Sequence, residues 1–160
     1  MKITDRIHIV ASGAAGFSMT NPFDCTVYLL DGGGELALID TGAGVEPQRI
    51  IYNINRAGYS PAGITKIFLT HGHGDHSGGA SALREYTGAR VMAMSDTARF
   101  VREGNLNALS VKEAAYGPGY RYAPCQVEGI GDGEQIKVGE VLLTALLTEG
   151  HSAGHASYVL

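Results

Sequence analysis

The chain has 160 residues, 44% of them apolar and 18% charged, with a formal net charge of −4. That is enough for one domain with a real core, and it is the balance of a folded soluble chain rather than a disordered one. Twelve basic against sixteen acidic side chains, with no basic run, argue against a broad nucleic-acid surface.

The start, Met1-Lys2-Ile3-Thr4-Asp5-Arg6, is too charged for a secretory signal, and no stretch approaches the ~18 apolar residues of a membrane span. Cys25 and Cys125 have no CxxC spacing and read as buried thiols of a cytoplasmic protein. Residues 3–10, 26–30 and 35–39 read as strands, with Gly32-Gly33-Gly34 turning the second into the third. His8 alternates with Ile7 and Ile9, which places it on the solvent side of the first strand. Residues 47–57 read as a helix with Ile50, Ile51, Ile54 and Ala57 on one face, Pro47 in its first turn and Gly58 as its stop. Residues 64–70 form a strand and 78–87 a helix that aligns Ala80, Leu83 and Tyr86 and ends at Gly88. Residues 89–94 are a strand and 96–103 a short helix with Ser95 as its N-cap. Residues 136–138 and 141–143 flank Gly139-Glu140 as a two-residue hairpin, and a last strand begins at Ala156. The pattern is a mixed sheet with helical cover. No internal repeat or linker divides residues 1–160, which read as one domain.

Two clusters hold five of the six histidines. Residues 71–76 read His71-Gly72-His73-Gly74-Asp75-His76, directly after the strand at 64–70, and residues 148–155 read Thr148-Glu149-Gly150-His151-Ser152-Ala153-Gly154-His155. Imidazole nitrogen and carboxylate oxygen suit zinc and other borderline first-row metals. His71 and His73 project to the same side of an extended segment, and His151, arriving from a distant loop, completes a neutral tripod with them. Asp75 and His76 are left for a neighbouring position. Asp40, in Ile39-Asp40-Thr41-Gly42, is placed to orient a ligand imidazole or to cap its own turn.

These three segments, in this order, resemble the metallo-β-lactamase superfamily. Its His-x-His-x-Asp-His signature matches at His71, His73, Asp75 and His76, and its later Thr-x-Gly-His-Ser/Thr-x-Gly-His segment matches at Thr148, Gly150, His151, Ser152, Gly154 and His155, with Glu149 where proline is common. The Asp-Thr-Gly turn at residues 40–42 is a weaker third match. The resemblance implies an α/β (α+β) four-layer αβ/βα sandwich and a two-zinc site, with iron or manganese as alternative metals. It puts His71, His73 and His151 on one metal and Asp75 and His76 on the other, with Asp75 also catalytic as a proton carrier and His155 a supporting neighbour. A hydroxide between two metals about 3.5–4 Å apart is a strong nucleophile at neutral pH.

The resemblance also implies more chain than is present. Family members continue past the second histidine motif to a metal-bridging aspartate, a final histidine and the rest of the second sheet. The domain is therefore expected to be shortened at its C-terminal end, completed by a separate polypeptide, or completed by a second copy in a homodimer. The 160 residues alone are expected to be inactive or nearly so. Were residues 1–160 alone monomeric, folded, loaded with two metals and fully active, further ligands would have to come from residues read here as structural, with Asp24, Asp40 and His155 the first to examine. Leu142, Leu143, Leu146 and Leu147 are expected to need a partner layer.

Two loops are placed to line a pocket: residues 11–24, with Phe17, Met19 and Phe23, and residues 104–125, with Tyr116, Tyr120 and Tyr122. For the tyrosines, simple surface packing is the plainer reading. The expected activity is metal-dependent hydrolysis of a small ester, thioester or lactone, without nucleic-acid or membrane partners. A mononuclear iron thiol or persulfide dioxygenase, or a catalytically silent metal scaffold, is the alternative. A flavo-diiron protein would resemble this motif with glutamate in place of His73.

Overall fold

The computed structural model describes residues 1–160. Six strands make one sheet in the order β1 (Ile7–Ala11), β2 (Val27–Asp31), β3 (Leu36–Ile39), β4 (Ile64–Phe68), β5 (Arg90–Met94) and β6 (Glu128–Ile130). The first three pair antiparallel, β1 to β2 across the loop at 12–26 and β2 to β3 across a tight turn, whereas β3, β4, β5 and β6 run parallel. Parallel neighbours need a crossover. Three helices provide them: α1 (Pro47–Arg56), α3 (Ala80–Thr87) and α4 (Ser95–Glu103), with the one-turn α2 (Gly74–Ser77) between β4 and α3. A second sheet holds β7 (Gln135–Val138), β8 (Val141–Leu147) and β9 (Ala156–Val159), all antiparallel.

The first sheet is apolar on both faces because both are covered. Val27, Leu29, Leu38, Ile67, Val91 and Ala93 pack with Ile50, Ile54, Leu83 and Val101 of the helices. On the other face Leu30, Phe68, Met92 and Met94 meet Leu143, Ala145 and Ala156 of the second sheet. The described layers are therefore helices, sheet and sheet; the fourth, helical layer of the expected sandwich is not formed by these residues. Leu143 is buried by the first sheet, while Leu142, Leu146 and Leu147 remain 49%, 38% and 44% exposed. Of the four leucines expected to need cover, the chain itself covers one.

The two sheets are pinned at one end by their turns. Glu140 N–H donates to Gly32 O at 2.6 Å, and a Cβ on Gly32 would lie 2.2 Å from Val138 O. Only glycine permits that approach. Gly139 takes a positive φ of 58° at the first hairpin position, as expected.

Several local expectations are corrected. The first strand begins at Ile7 rather than residue 3. His8 is buried, not solvent-facing, with Nε2 2.9 Å from the Tyr59 hydroxyl. The α4 N-cap is Met94 and no side chain caps it, so Ser95 does not serve. Tyr86 is exposed, leaving Ala80 and Leu83 as the inward residues of α3. Strand β6 carries no alternation in the sequence and was not expected. No helix is long and apolar enough to cross a membrane.

Candidate metal centre

Ligands in parallel sheets gather beyond the carboxyl ends of the strands, and here β3 and β4 deliver Asp40 and residues 71–76 to that edge. The chain leaves β3 through Asp40 in the left-handed region, φ 64°, a conformation that aspartate tolerates better than most side chains. Thr41 then donates to His76 O through both its amide (2.8 Å) and its hydroxyl (2.6 Å). A Cβ on Gly79 would sit 2.1 Å from Thr41 O, and one on Gly78 2.2 Å from Ala43 O. These glycines let the segment after β4 lie directly against the turn after β3.

The second histidine loop arrives from β8. Gly154 N–H donates to Glu149 Oε1 at 2.8 Å, so the glutamate that replaces the family's common proline closes its own loop. The buried Thr97 hydroxyl, in α4, donates to Gly154 O at 2.8 Å. Ala156 N–H donates to Thr70 O at 2.7 Å, joining the start of β9 to the residue before His71.

This brings His71, His73 and His151 together. Their candidate ligand nitrogens lie within 4.8 Å of one another, and the ring centroids are 4.6–4.7 Å apart. His71 is oriented by a chain of hydrogen bonds. Thr70 Oγ1 donates to Asp40 Oδ2 at 2.8 Å and lies 3.1 Å from His71 Nδ1. With the hydroxyl proton on Asp40, Thr70 accepts the Nδ1 proton of His71, which leaves the Nε2 lone pair bare. That Nε2 is buried with no hydrogen-bond partner. Such an orphan is costly unless something occupies it, and an imidazole lone pair facing two others fits a cation. Burial first, then the neighbouring histidines, pushes His71 down to about 3, and the same causes lower His73. Neutral imidazoles are the form that binds metal.

Beside the tripod, His76 Nδ1 is 2.8 Å from Asp40 Oδ2 and its Nε2 is 3.4 Å from Asp75 Oδ2. Burial opposes its charge, yet hydrogen bonds to Asp40, Asp75 and Cys25 push His76 up to about 12. Burial likewise opposes ionisation of Asp75, and His76 overcomes it and lowers the carboxyl. Asp75 and His76 are thus adjacent, as expected from their spacing. His155 is not in the tripod; its Nδ1 is 3.1 Å from Thr148 Oγ1 and its ring is 5.1 Å from His71. Asp24 is likewise occupied, accepting from Ala43 N (2.8 Å) and Asn21 N (3.1 Å).

Three participants carried no sequence signal strong enough to find them. Thr70 relays Asp40 to His71, Thr97 anchors the second loop, and Cys25 lies with Asp40 and His76 in a further group of potential ligands. The Cys25 thiol is pushed up to about 11, chiefly by burial.

The rim is partly aromatic. Phe23 and Tyr116 pack at 5.2 Å between centroids, and Tyr116 stacks on Tyr120 at 4.6 Å. A Cβ on Gly74 would lie 2.8 Å from the Tyr116 hydroxyl, so this ring leans on the metal-motif loop itself. Tyr120 donates to Ala43 O at 2.8 Å, and Tyr122, buried, shares a 2.9 Å hydrogen bond with Ser77. Those two pack the loop, as the plainer reading had it. Met19 departs from its expected place and lines a cavity of about 510 Å³ with Lys2, His8 and Arg56 instead.

A family model described as the Metallo-beta-lactamase superfamily matches residues 20–160. A hydroxyacylglutathione hydrolase of a Bradyrhizobium species is 32% identical over 110 residues, 69% of this chain and 33% of that protein. A UPF0173 metal-dependent hydrolase of Thermococcus onnurineus is 36% identical over 64 residues, 40% of this chain and 25% of that protein. Among solved structures, a metallo-β-lactamase with a HARLDQ motif from Cronobacter sakazakii has a TM-score of 0.80 at 28% identity, covering 99% of this chain and 58% of that one. BJP-1, a subclass B3 metallo-β-lactamase of Bradyrhizobium japonicum, has a TM-score of 0.74 at 28% identity, over 83% and 49%. The chain thus spans about a quarter to a third of the length of these curated relatives and about half that of the solved neighbours.

Proposed function

We propose that the chain, which belongs to the metallo-β-lactamase superfamily, takes part in hydrolysis of a small acyl thioester, with a zinc ion held by His71, His73 and His151. The single observation that carries this reading is the buried, unpartnered Nε2 of His71 facing two further imidazoles. Resemblance to hydroxyacylglutathione hydrolases favours a thioester over a simple ester or lactone.

A zinc ion bound there supplies Lewis acidity and activates water at neutral pH. The chain's own residues do the rest. Asp40 holds His71 through Thr70 and His76 directly, so one buried carboxylate sets the direction of two rings. Asp75 is half exposed, with Oδ2 beside His76; it is placed to accept a proton at that oxygen and to pass it to a departing thiolate. Phe23 and Tyr116 form an apolar wall beside Gly74 that excludes water from one side of the acyl group. A second cation beside Asp75 and His76 would have two ligands from the expected set.

The test is metal analysis and turnover on zinc-loaded protein and on His73→Ala. An S-acyl glutathione, a simple aryl ester and a β-lactam serve as substrates. The expected result is one tightly held zinc that is lost in the variant, and a low turnover, as expected of residues 1–160 alone, in which the thioester is preferred. Unchanged metal in His73→Ala would overturn the tripod. One iron per chain with thiol-dependent oxygen uptake and no hydrolysis would overturn the hydrolase reading in favour of a dioxygenase.

A further inference from the structure

Behind the tripod lies a second group of donors that the histidine motifs do not announce. Cys25 sits just before β2, far from either motif in sequence, yet its Sγ, a carboxylate oxygen of Asp40 and a ring nitrogen of His76 all lie within 4.8 Å of one another. The backbone holds the cysteine there, since Cys25 N–H donates to Asp75 O at 3.2 Å. Asp40 is buried, and no lysine or arginine pairs with Asp40 or Asp75; His76 is their ion-pair partner. Both carboxylates turn to one imidazole with no lysine or arginine to neutralise them, so the locality favours additional positive charge. The donors are one sulfur, one nitrogen and one oxygen, a set that favours soft or borderline ions over magnesium or calcium.

We propose that Cys25, Asp40 and His76 form a second cation position, separate from the tripod and selective for thiophilic divalent ions such as Zn²⁺ and Cd²⁺. Tetrahedral ligands about 2.0–2.3 Å from zinc stand about 3.5 Å from one another, so a closing movement of about 1 Å suffices. The ion takes the place of the Nδ1 proton that His76 now shares with Asp40, and of the Cys25 thiol proton. Both protons pass to solvent, two positive charges leaving as two arrive. His76 keeps its Nε2 proton directed at Asp75 Oδ2. One imidazole thus joins the two sides, an ion with Cys25 and Asp40 through Nδ1 and Asp75 through Nε2. The cysteine gives the buried side of the centre an affinity for soft ions that the histidine motif alone does not. The proposal stands independently of hydrolytic activity.

Metal-free protein is titrated with CdCl₂ while thiolate-to-metal charge-transfer absorption is followed in the near ultraviolet. MgCl₂ serves as the hard-ion control. The band is expected for one thiolate per chain in the unaltered protein, in Cys125→Ser and in His73→Ala, and to be lost in Cys25→Ser. Alkylation of Cys25 by iodoacetamide, mapped by mass spectrometry, is expected to slow about tenfold at a Cd²⁺ concentration about tenfold above the binding midpoint, with no effect of Mg²⁺. A band that is absent from the unaltered protein, or kept in Cys25→Ser and lost in Cys125→Ser, overturns the proposal; so does alkylation indifferent to Cd²⁺. Persistence of the band in His73→Ala separates this position from the tripod, whose failure would show instead as unchanged total metal in that variant.

Discussion

Asp40 is the residue on which most of the centre turns, because one carboxylate reaches both His76 and, through Thr70, His71. Asp75 has a different task, being half exposed with Oδ2 3.4 Å from His76 Nε2. Asp75→Asn is expected to lower turnover by about 10²–10⁴-fold, the range for losing a proton-transfer group, while zinc at the tripod and the circular dichroism spectrum are retained. Unfolding of that variant would make Asp75 a structural residue of α2. His71, buried, and His76, partly buried, also give the metal-free protein a pH signature. His71 is depressed to about 3 from 6.5, so between those values the unfolded chain takes a proton that the native state refuses, and stability falls as pH drops below 6.5. His76 is raised to about 12, so its contribution is complete below 6.5 and is lost as pH rises from 6.5 toward 12. Urea midpoints of metal-free protein between pH 5 and 9 are expected to peak near 6.5. In His76→Gln the alkaline decline disappears. A midpoint that climbs steadily to pH 9 in the unaltered protein would contradict this assignment.

At the scale of elements, the centre depends on the second histidine loop being tied to α4 as well as to the segment that carries the first motif. Thr97 is fully buried and donates to Gly154 O, and Gly154 itself takes a positive φ of 69° with no room for a Cβ beside Thr97 N at 2.7 Å. Thr97→Val keeps the shape and removes the donor, leaving a buried carbonyl without its partner. The cost is about 1–3 kcal/mol, expressed locally as a looser His151. Zinc affinity measured by chelator competition is expected to weaken, with His71 and His73 still in place and little change in α-helical signal. Equal affinity in the two proteins would show that Thr97 is a packing residue only. The same logic accounts for Glu149, whose carboxylate closes the loop from within.

For the whole molecule, the division of labour between the sheets follows from which residues face inward. Leu143 is sealed between the sheets, whereas Leu142 on the opposite face is 49% exposed. Leu143→Ala is expected to cost about 2–5 kcal/mol, read as a lowered urea midpoint, and Leu142→Ala within about 0.5 kcal/mol of zero. Comparable losses in both would mean that the outer face is covered in solution, and size-exclusion chromatography would then reveal the covering partner. The chemistry gathers where the parallel strands end and the second sheet begins, at the junction made by Ala156 N–H on Thr70 O. Both sheets must therefore be assembled before the tripod exists.

The sequence by itself determined the donor set and the strand-loop-helix setting of the first motif. Six residues with four donors define their own spacing, and helix stops such as Gly88 act through their own backbone, with φ 74°. Gly139 marked the hairpin between β7 and β8, but that only Leu143 of the four leucines faces the first sheet was not legible. Tertiary structure alone decided the remainder, because those contacts join residues far apart in the chain. His8 is drawn inward by Tyr59, 51 residues away, against a local pattern that pointed it outward. Cys25 meets Asp40 and His76 only after β2, β3 and β4 are paired side by side. Thr97 finds Gly154 across 57 residues. Local pattern records which face of its own element a side chain occupies; what lies opposite that face depends on how the sheets pack.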